Sequence, residues 1–319
     1  KLLAAISALE NDVFNTKKII RCTGSIELYG EKFHCWKKKG HGYMDMREGI
    51  KQSCDIYFYE VARLLGIDRL SETARNFGLG KQVLEGLVEE RTGVVPNTSW
   101  KKRNIGKNWY LGETLHAGIG QGYWQTSPLQ LCLMTAQIAN GGYEIKPRII
   151  LNKENEEESK DLEKFLNEKK INSENNSSFE DFVFRYKYKN LFNNPENIKF
   201  VQDALFGATN EPGGTSFGSR LTKKDFIFAG KTGTSQVKRF TARQRELEIK
   251  NEDLPYKERD HALFVAFAPY KDPRYAISVV VEHGGSGSKS AAPIAKKVIK
   301  KVLEKHPLRE AKKSIGETT

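Results

Sequence analysis

The stretch that decides the fold is Phe226-Ile-Phe-Ala-Gly-Lys-Thr-Gly-Thr-Ser-Gln-Val237. Its first residues are β-formers, and they run into Gly230, where the missing side chain permits close approach of another chain segment. Lys231 and Thr232 then present a cation and a hydroxyl, and Gly233 again leaves the backbone clear. The pattern predicts an edge strand beside an active site, against which a substrate carboxylate can lie.

Length and charge limit the possible functions. The chain has 319 residues, which is enough for one large or two ordinary domains with a sizeable core. Its net charge of +12 would suit an anionic partner, but the lysines are scattered among glutamates and asparagines, as on solvated faces. Because no nucleic-acid motif accompanies the charge, nucleic acid is not a predicted partner. No stretch approaches the roughly 20 apolar residues of a membrane span.

The order of the predicted elements indicates the architecture. A helical region comes first, and residues 20–36 read as a small hairpin with its turn at Gly30. Two apolar strands, His261–Ala268 and Tyr275–Glu282, follow the Lys-Thr-Gly strand, and an amphipathic helix runs from Ser290 to Leu303. The fold class is therefore α/β, with an antiparallel sheet flanked by helices and a mostly helical lobe. Residues 152–178 are a polar insertion without identifiable chemistry.

Seven blocks of sequence occur in an order that resembles one family. A Lys-Thr-Gly triplet alone recurs by chance, but its known partners are Ser-x-x-Lys and a Ser-x-Asn-type motif. The chain resembles the transpeptidase domain of the elongation-type class B penicillin-binding proteins, the penicillin-binding protein 2 family, over residues 1 to about 303. The blocks are Lys1-Leu-Leu-Ala-Ala, Gly40-His-Gly42, Ser53-Cys-Asp55, Gly118-Ile-Gly-Gln-Gly-Tyr-Trp-Gln-Thr-Ser-Pro128, Asn210-Glu-Pro-Gly-Gly-Thr215, Lys231-Thr-Gly-Thr-Ser235 and Glu282-His-Gly-Gly285.

The resemblance implies a role for each catalytic candidate. Lys1 matches the lysine of Ser-x-x-Lys, so the nucleophilic serine is expected three positions upstream, outside this sequence, and we interpret the chain as a transpeptidase domain (1–319) that begins just after it. A serine hydroxyl needs a neighbouring base, and a lysine whose charge is disfavoured by burial and a second cation can serve; Lys1 is the expected base and Lys231 the second cation. Ser53 is the expected proton relay, and Asp55 stands where asparagine is commoner in the wider superfamily.

The Lys-Thr-Gly strand is the expected substrate-binding element. By the resemblance, Lys231 and Thr232 orient the terminal carboxylate of a D-Ala-D-Ala stem peptide, and Gly233 leaves room for it. The backbone N–H of Thr234 is expected in the oxyanion hole, where one donor is worth about 3 kcal/mol.

The reaction implied is D,D-transpeptidation of peptidoglycan stem peptides through an acyl-serine, with β-lactams as inhibitors. Implied partners are a membrane glycosyltransferase and scaffold proteins of the elongation machinery, and the implied location is the periplasmic face of the inner membrane, with the anchor upstream. Alternatives are a β-lactam sensor domain, a serine β-lactamase, and a non-catalytic scaffold.

A second constellation consists of Cys22, Cys35, His41 and Cys54. Three thiolates and one imidazole form a known structural zinc ligand set. Zinc there would fasten the hairpin and the Gly-His-Gly loop to the segment that carries Ser53 and Asp55. The alternatives are a Cys22–Cys35 disulfide, which an oxidising compartment favours, and free buried thiols. His34 is a possible substitute ligand, while Cys132 lies in an apolar helix as a core residue.

Overall fold

The computed structural model describes residues 1–28, 30–84, 87, 89–149, 189–238, 244, 247 and 249–306. The predicted insertion at 152–178 lies outside the described residues. The helices are α1 Leu2–Glu10, α2 Met46–Lys51, α3 Asp55–Leu65, α4 Ile67–Asn76, α5 Thr98–Ile105, α6 Leu111–Gly118, α7 Pro128–Ala139, α8 Pro195–Asn210 and α9 Ala292–Lys305. The strands are β1 Ile20–Cys22, β2 Ser25–Leu28, β3 Glu31–His34, β4 Gly42–Met44, β5 Ala229–Ser235, β6 His261–Ala268 and β7 Tyr275–Val281. None of the described helices is both long and apolar enough to cross a membrane.

The main sheet is antiparallel and follows the chain in the order β5, β6, β7. Lys231 pairs with Val265 on β6, and Val265 pairs with Ser278 on β7. Among the described strands, β5 therefore has one unpaired edge, as the sequence predicts. Gly230 lies where the close approach is tightest: a Cβ there would stand 2.6 Å from the carbonyl oxygen of Val265. Glycine is required because that distance is shorter than a normal carbon–oxygen contact.

The two faces of β6 bury their side chains in two separate cores, because successive side chains on a strand point to opposite faces. Phe264 and Ala266 belong to a core with Ala295 and Ile299 of α9. Phe267 belongs to the larger core, with residues of α1 and α3. Burying one such phenylalanine contributes about 1.5–3 kcal/mol. The sheet is thus clamped between α9 and the helical lobe, which gives β5 a fixed position.

The helical lobe holds the other side of the site. Helix α3 is buried on most of its surface, since Tyr57, Phe58 and Val61 are all 0% exposed. It packs against α1 and α6, and α8 packs against both α2 and β5. The start of α1, the start of α3 and the free edge of β5 consequently meet in one place.

One part of the predicted topology is wrong. Only Ser25–Leu28 and Glu31–His34 form the predicted hairpin, whereas Ile20–Cys22 pairs with β4 instead. Gly40 explains the difference: a Cβ there would lie 2.1 Å from the carbonyl oxygen of Cys22, so glycine lets the loop fold back on β1. Of the two ribbons, β1–β4 carries Cys22 at the end of β1 with His41 directly before β4, and β2–β3 is followed directly by Cys35.

Candidate active site

A cleft of about 840 Å³ opens where α1, α3 and β5 meet. It contains every catalytic and substrate-binding residue predicted from the sequence. These are Lys1, Ser53, Asp55, Lys231, Thr232, Gly233 and Thr234. The sequence places these residues in three distant segments, and the fold brings them to one surface.

Lys1 lies at the centre of the first group. Its Nζ is 3.0 Å from the Ser53 Oγ, 2.9 Å from the Ser53 carbonyl oxygen and 2.6 Å from a carboxylate oxygen of Asp55. Only 14% of the Lys1 side chain and 10% of the Asp55 side chain are exposed. A proton can therefore pass between Lys1 and Ser53 through a direct hydrogen bond, within a site that excludes most water.

Ser53 has a strained backbone, with φ at +57°. A left-handed conformation at a non-glycine residue costs of order 1–3 kcal/mol, and surrounding contacts must maintain it. Trp36 supplies one such contact, because its indole N–H donates to the Ser53 carbonyl oxygen at 3.0 Å. The backbone N–H of Trp36 also donates to Asp55 at 2.8 Å.

The sequence gives little indication of the role of Trp36. Its only sequence signal is its position directly after the metal-ligand candidate Cys35.

Lys231 and Thr232 form the second group, on β5. Lys231 is buried, and its Nζ donates to the Thr232 carbonyl oxygen at 3.1 Å. Burial, together with the positive charge of Lys1, lowers the pKa of Lys231 to about 7, and Asp55 opposes the shift. The Thr232 hydroxyl donates to the Thr215 hydroxyl at 3.0 Å. A cation and two hydroxyls thus face the cleft, which suits a carboxylate ligand.

Gly233 and Thr234 continue the cleft edge of β5. Thr234 pairs with Ala262 on β6, and both Gly233 and Thr234 line the cleft. Gly287, just before α9, packs closely here, since a Cβ on it would lie 2.6 Å from the Gly233 carbonyl oxygen. This close packing holds the strand end in register, with a free backbone edge available to an extended ligand.

The pKa of Lys231 leads to a pH prediction for the full-length protein. Binding of a carboxylate requires the lysine cation, and the cation is lost as the pH rises through about 7. The second-order rate constant for acylation by a penicillin should fall on this alkaline limb, approaching about tenfold per pH unit. Stopped-flow or quenched labelling between pH 6 and 10 measures this. A penicillin methyl ester should lack the limb, and an identical limb for both compounds would contradict the assignment.

The metal-ligand candidates also converge. The three sulfurs and one ring nitrogen of Cys22, Cys35, His41 and Cys54 all lie within 4.8 Å of one another. The Sγ atoms of Cys22 and Cys35 are each 3.5 Å from the His41 Nδ1. Tetrahedral zinc, with bonds of about 2.3 Å to sulfur and about 2.0–2.1 Å to nitrogen, places sulfur and nitrogen about 3.6 Å apart. The arrangement therefore fits zinc.

Cys22, Cys35 and Cys54 are all buried free thiols. No disulfide joins Cys22 to Cys35, and His34 is exposed outside the group. A hydrogen bond from Cys54 lowers the pKa of Cys35, assisted by His41 and opposed by burial. The backbone N–H of Asp55 approaches the Cys35 Sγ at 3.4 Å. The cluster is thus directly connected to the catalytic group.

The fold and the cleft define a class of protein: an α/β domain in which a lysine, a serine and an acid lie beside a Lys-Thr-Gly strand. The family model described as the penicillin binding protein transpeptidase domain matches residues 1–300. This chain belongs to that family.

Individual relatives agree with this assignment. A peptidoglycan D,D-transpeptidase MrdA of Salmonella typhimurium is 36% identical over 264 residues, covering 83% of this chain and 39% of the relative. A penicillin-binding protein PBP2 of Helicobacter pylori in complex with MreC has a TM-score of 0.77 and 29% identity, over 97% of this chain and 49% of that one. The PBP2 of Pseudomonas aeruginosa in complex with WCK 5153 has a TM-score of 0.72 and 30% identity, over 95% and 59%. The chain thus spans about two fifths of the length of the curated relative.

Proposed function

We propose that this chain is the catalytic domain of a peptidoglycan D,D-transpeptidase that cross-links stem peptides during cell elongation and is inhibited by β-lactams. The observation that carries the proposal is the direct contact of the Lys1 Nζ with Ser53 and Asp55, within the same cleft as Lys231. Family membership and the names of the relatives support it.

In the proposed acylation, the nucleophile is a serine three positions before Lys1 in the longer protein. Lys1 takes the proton of this serine as its oxygen attacks the carbonyl carbon of the penultimate D-Ala. The peptide C–N bond then breaks, and the proton passes through Ser53 to the departing D-Ala amine. The Thr234 N–H stabilises the oxyanion, and Lys231 and Thr232 hold the terminal carboxylate.

In the proposed second step, an amine of a neighbouring stem peptide attacks the serine ester. The amine loses a proton to Lys1 through Ser53, and the serine oxygen regains one as the ester bond breaks. The free edge of β5 can align the peptide as an added strand. The products are one new peptide cross-link and one regenerated serine, so the step needs no cofactor.

We also propose that zinc binds to Cys22, Cys35, His41 and Cys54 in a structural role. When bound, it would cross-link the two ribbons to the segment that begins α3. It takes no part in the reaction, because four protein ligands leave no open position. Trp36 and Cys35 contact Asp55 directly, so a rigid cluster would restrict the movement of that carboxylate.

We propose the periplasmic face of the inner membrane as the location, with the anchor in the upstream part of the longer protein. A membrane glycosyltransferase and scaffold proteins are the proposed partners. The similarity to the Helicobacter pylori PBP2, whose structure is of a complex with MreC, supports a protein partner for this chain as well.

Release of D-alanine tests the proposed reaction. The full-length protein, given a pentapeptide ending in D-Ala-D-Ala and an acceptor amine, should release one D-alanine per cross-link, and Ser53→Ala should slow this by about a hundredfold. With a chromogenic cephalosporin it should consume about one equivalent and then stop. Continuous turnover of the cephalosporin would indicate a β-lactamase, and absence of both reactions in a folded protein would support a scaffold.

A further inference from the structure

A ring of contacts joins the end of α2 to the turn that follows α8. The Nζ of Lys51 lies 3.0 Å from a carboxylate oxygen of Glu211, and the carbonyl oxygen of Lys51 accepts from the backbone N–H of Thr215 at 3.3 Å. Lys51 therefore contacts both ends of the turn formed by residues 211–215. We call Lys51 and Glu211 the clamp.

Arg47 strengthens the clamp from the same helix. Its guanidinium donates to both oxygens of Glu211, at 2.6 and 3.0 Å, and to Asp203 on α8 at 2.5 Å. The hydrogen bonds from Arg47 lower the pKa of Glu211 to about 2, so this carboxylate stays ionised at neutral pH. Bidentate pairs of this kind fix direction as well as distance.

The turn held by the clamp reaches both halves of the active site. On one side, Thr215 accepts the hydrogen bond of the Thr232 hydroxyl at 3.0 Å. On the other side, Lys51 lies two residues before Ser53. Gly214 folds closely against the end of α8, since a Cβ there would lie 2.5 Å from the Ala208 carbonyl oxygen. The close packing of Gly214 and the contacts of the clamp therefore together fix the position of the turn.

We propose that Glu211 is a positioning residue that, through Lys51 and Thr215, sets the Thr232 hydroxyl for the substrate carboxylate. This inference rests on the proposed function, because it assigns the clamp to the carboxylate-binding half of that site. Glu211 lies outside the lining of the cleft, so it acts through its neighbours and not by touching the substrate.

The test compares two probes on the full-length protein. Glu211→Gln keeps the shape of the side chain but removes its charge. We expect it to lower the rate constant for acylation by a penicillin about tenfold, and by the methyl ester of the same penicillin less than about twofold. Glu211→Asp should restore part of the rate. Glu60→Gln is the matched control, since Glu60 pairs with Arg63 at 2.7 Å on α3, outside the cleft lining, and should change neither rate.

Each outcome of the comparison has a defined meaning. Equal losses with both probes would show a general structural effect and overturn the proposal, as would unchanged rates. Amide hydrogen exchange at Thr215 gives a second readout that needs no reaction: it should be faster in Glu211→Gln, and an unchanged rate would overturn the clamp. If no penicillin acylates the wild-type protein, the proposed function itself fails, and the carboxylate role of Glu211 fails with it.

Discussion

Replacing Lys1 by methionine is expected to reduce the acylation rate constant of the full-length protein by about a thousandfold or more. The Lys1 Nζ contacts Ser53 at 3.0 Å and Asp55 at 2.6 Å, whereas the Lys231 Nζ donates to the Thr232 carbonyl oxygen. A general base contributes about 10²–10⁴-fold, and an unactivated serine is a poor nucleophile. Quenched-flow labelling with a penicillin measures the loss.

Two further variants test whether Lys1 acts as a base or only as a positive charge. Lys1→Arg keeps the charge but holds a guanidinium that does not deprotonate, so it should be nearly as inactive as the methionine variant. Lys18→Met removes a half-exposed lysine that lies 3.8 Å from Glu60, and it should leave the rate unchanged. Activity in Lys1→Arg would show that Lys1 acts only through its charge.

Loss of one cluster ligand should remove the metal and destabilise the domain. The purified wild-type protein is expected to carry about one zinc per chain, and Cys22→Ser well below half of that. Because metal binding is coupled to folding, Tm should fall by about 5–10 °C. Elemental analysis and differential scanning fluorimetry measure the two effects.

Cys132 offers the matched control, because it is the one described cysteine outside the cluster. Cys132→Ser should retain the zinc and lose much less stability. A strong chelator should lower the Tm of the wild type towards that of Cys22→Ser and leave that variant unchanged. Wild-type protein that carries no zinc, with a Tm that a chelator does not affect, would contradict the metal assignment.

The parts of the fold that could be predicted depend on local patterns. The strands at 261–268 and 275–281 are apolar runs of strand length separated by a proline-containing turn, and the structure confirms both. The burial of α3 follows from its apolar surface in the same way. The pairing of β1 with β4 could not be predicted from the sequence, because a strand of three residues is too short for its alternation of apolar and polar residues to indicate a partner.

The same distinction applies to the site. Lys1, Ser53 and Lys231 could be predicted because they belong to motifs that occur in a characteristic order. Cys22, Cys35, His41 and Cys54 could be predicted because three cysteines and one histidine form a known zinc ligand set. Trp36 acts through its backbone N–H and its indole N–H, and neither hydrogen bond can be predicted from the residue type. Glu211 pairs with Arg47, which lies 164 positions away in the sequence. A single charged residue in a turn does not indicate which residue it will pair with.

We propose that the cleft serves an acyl-serine three positions before Lys1 in the longer protein. Labelling the full-length protein with a fluorescent penicillin, followed by proteolysis and mass spectrometry of the labelled peptide, tests it most directly. We predict a single adduct on that serine and no labelling when the serine is replaced by alanine. An adduct on Ser53 or on any other residue, or undiminished labelling of the alanine variant, would contradict the account.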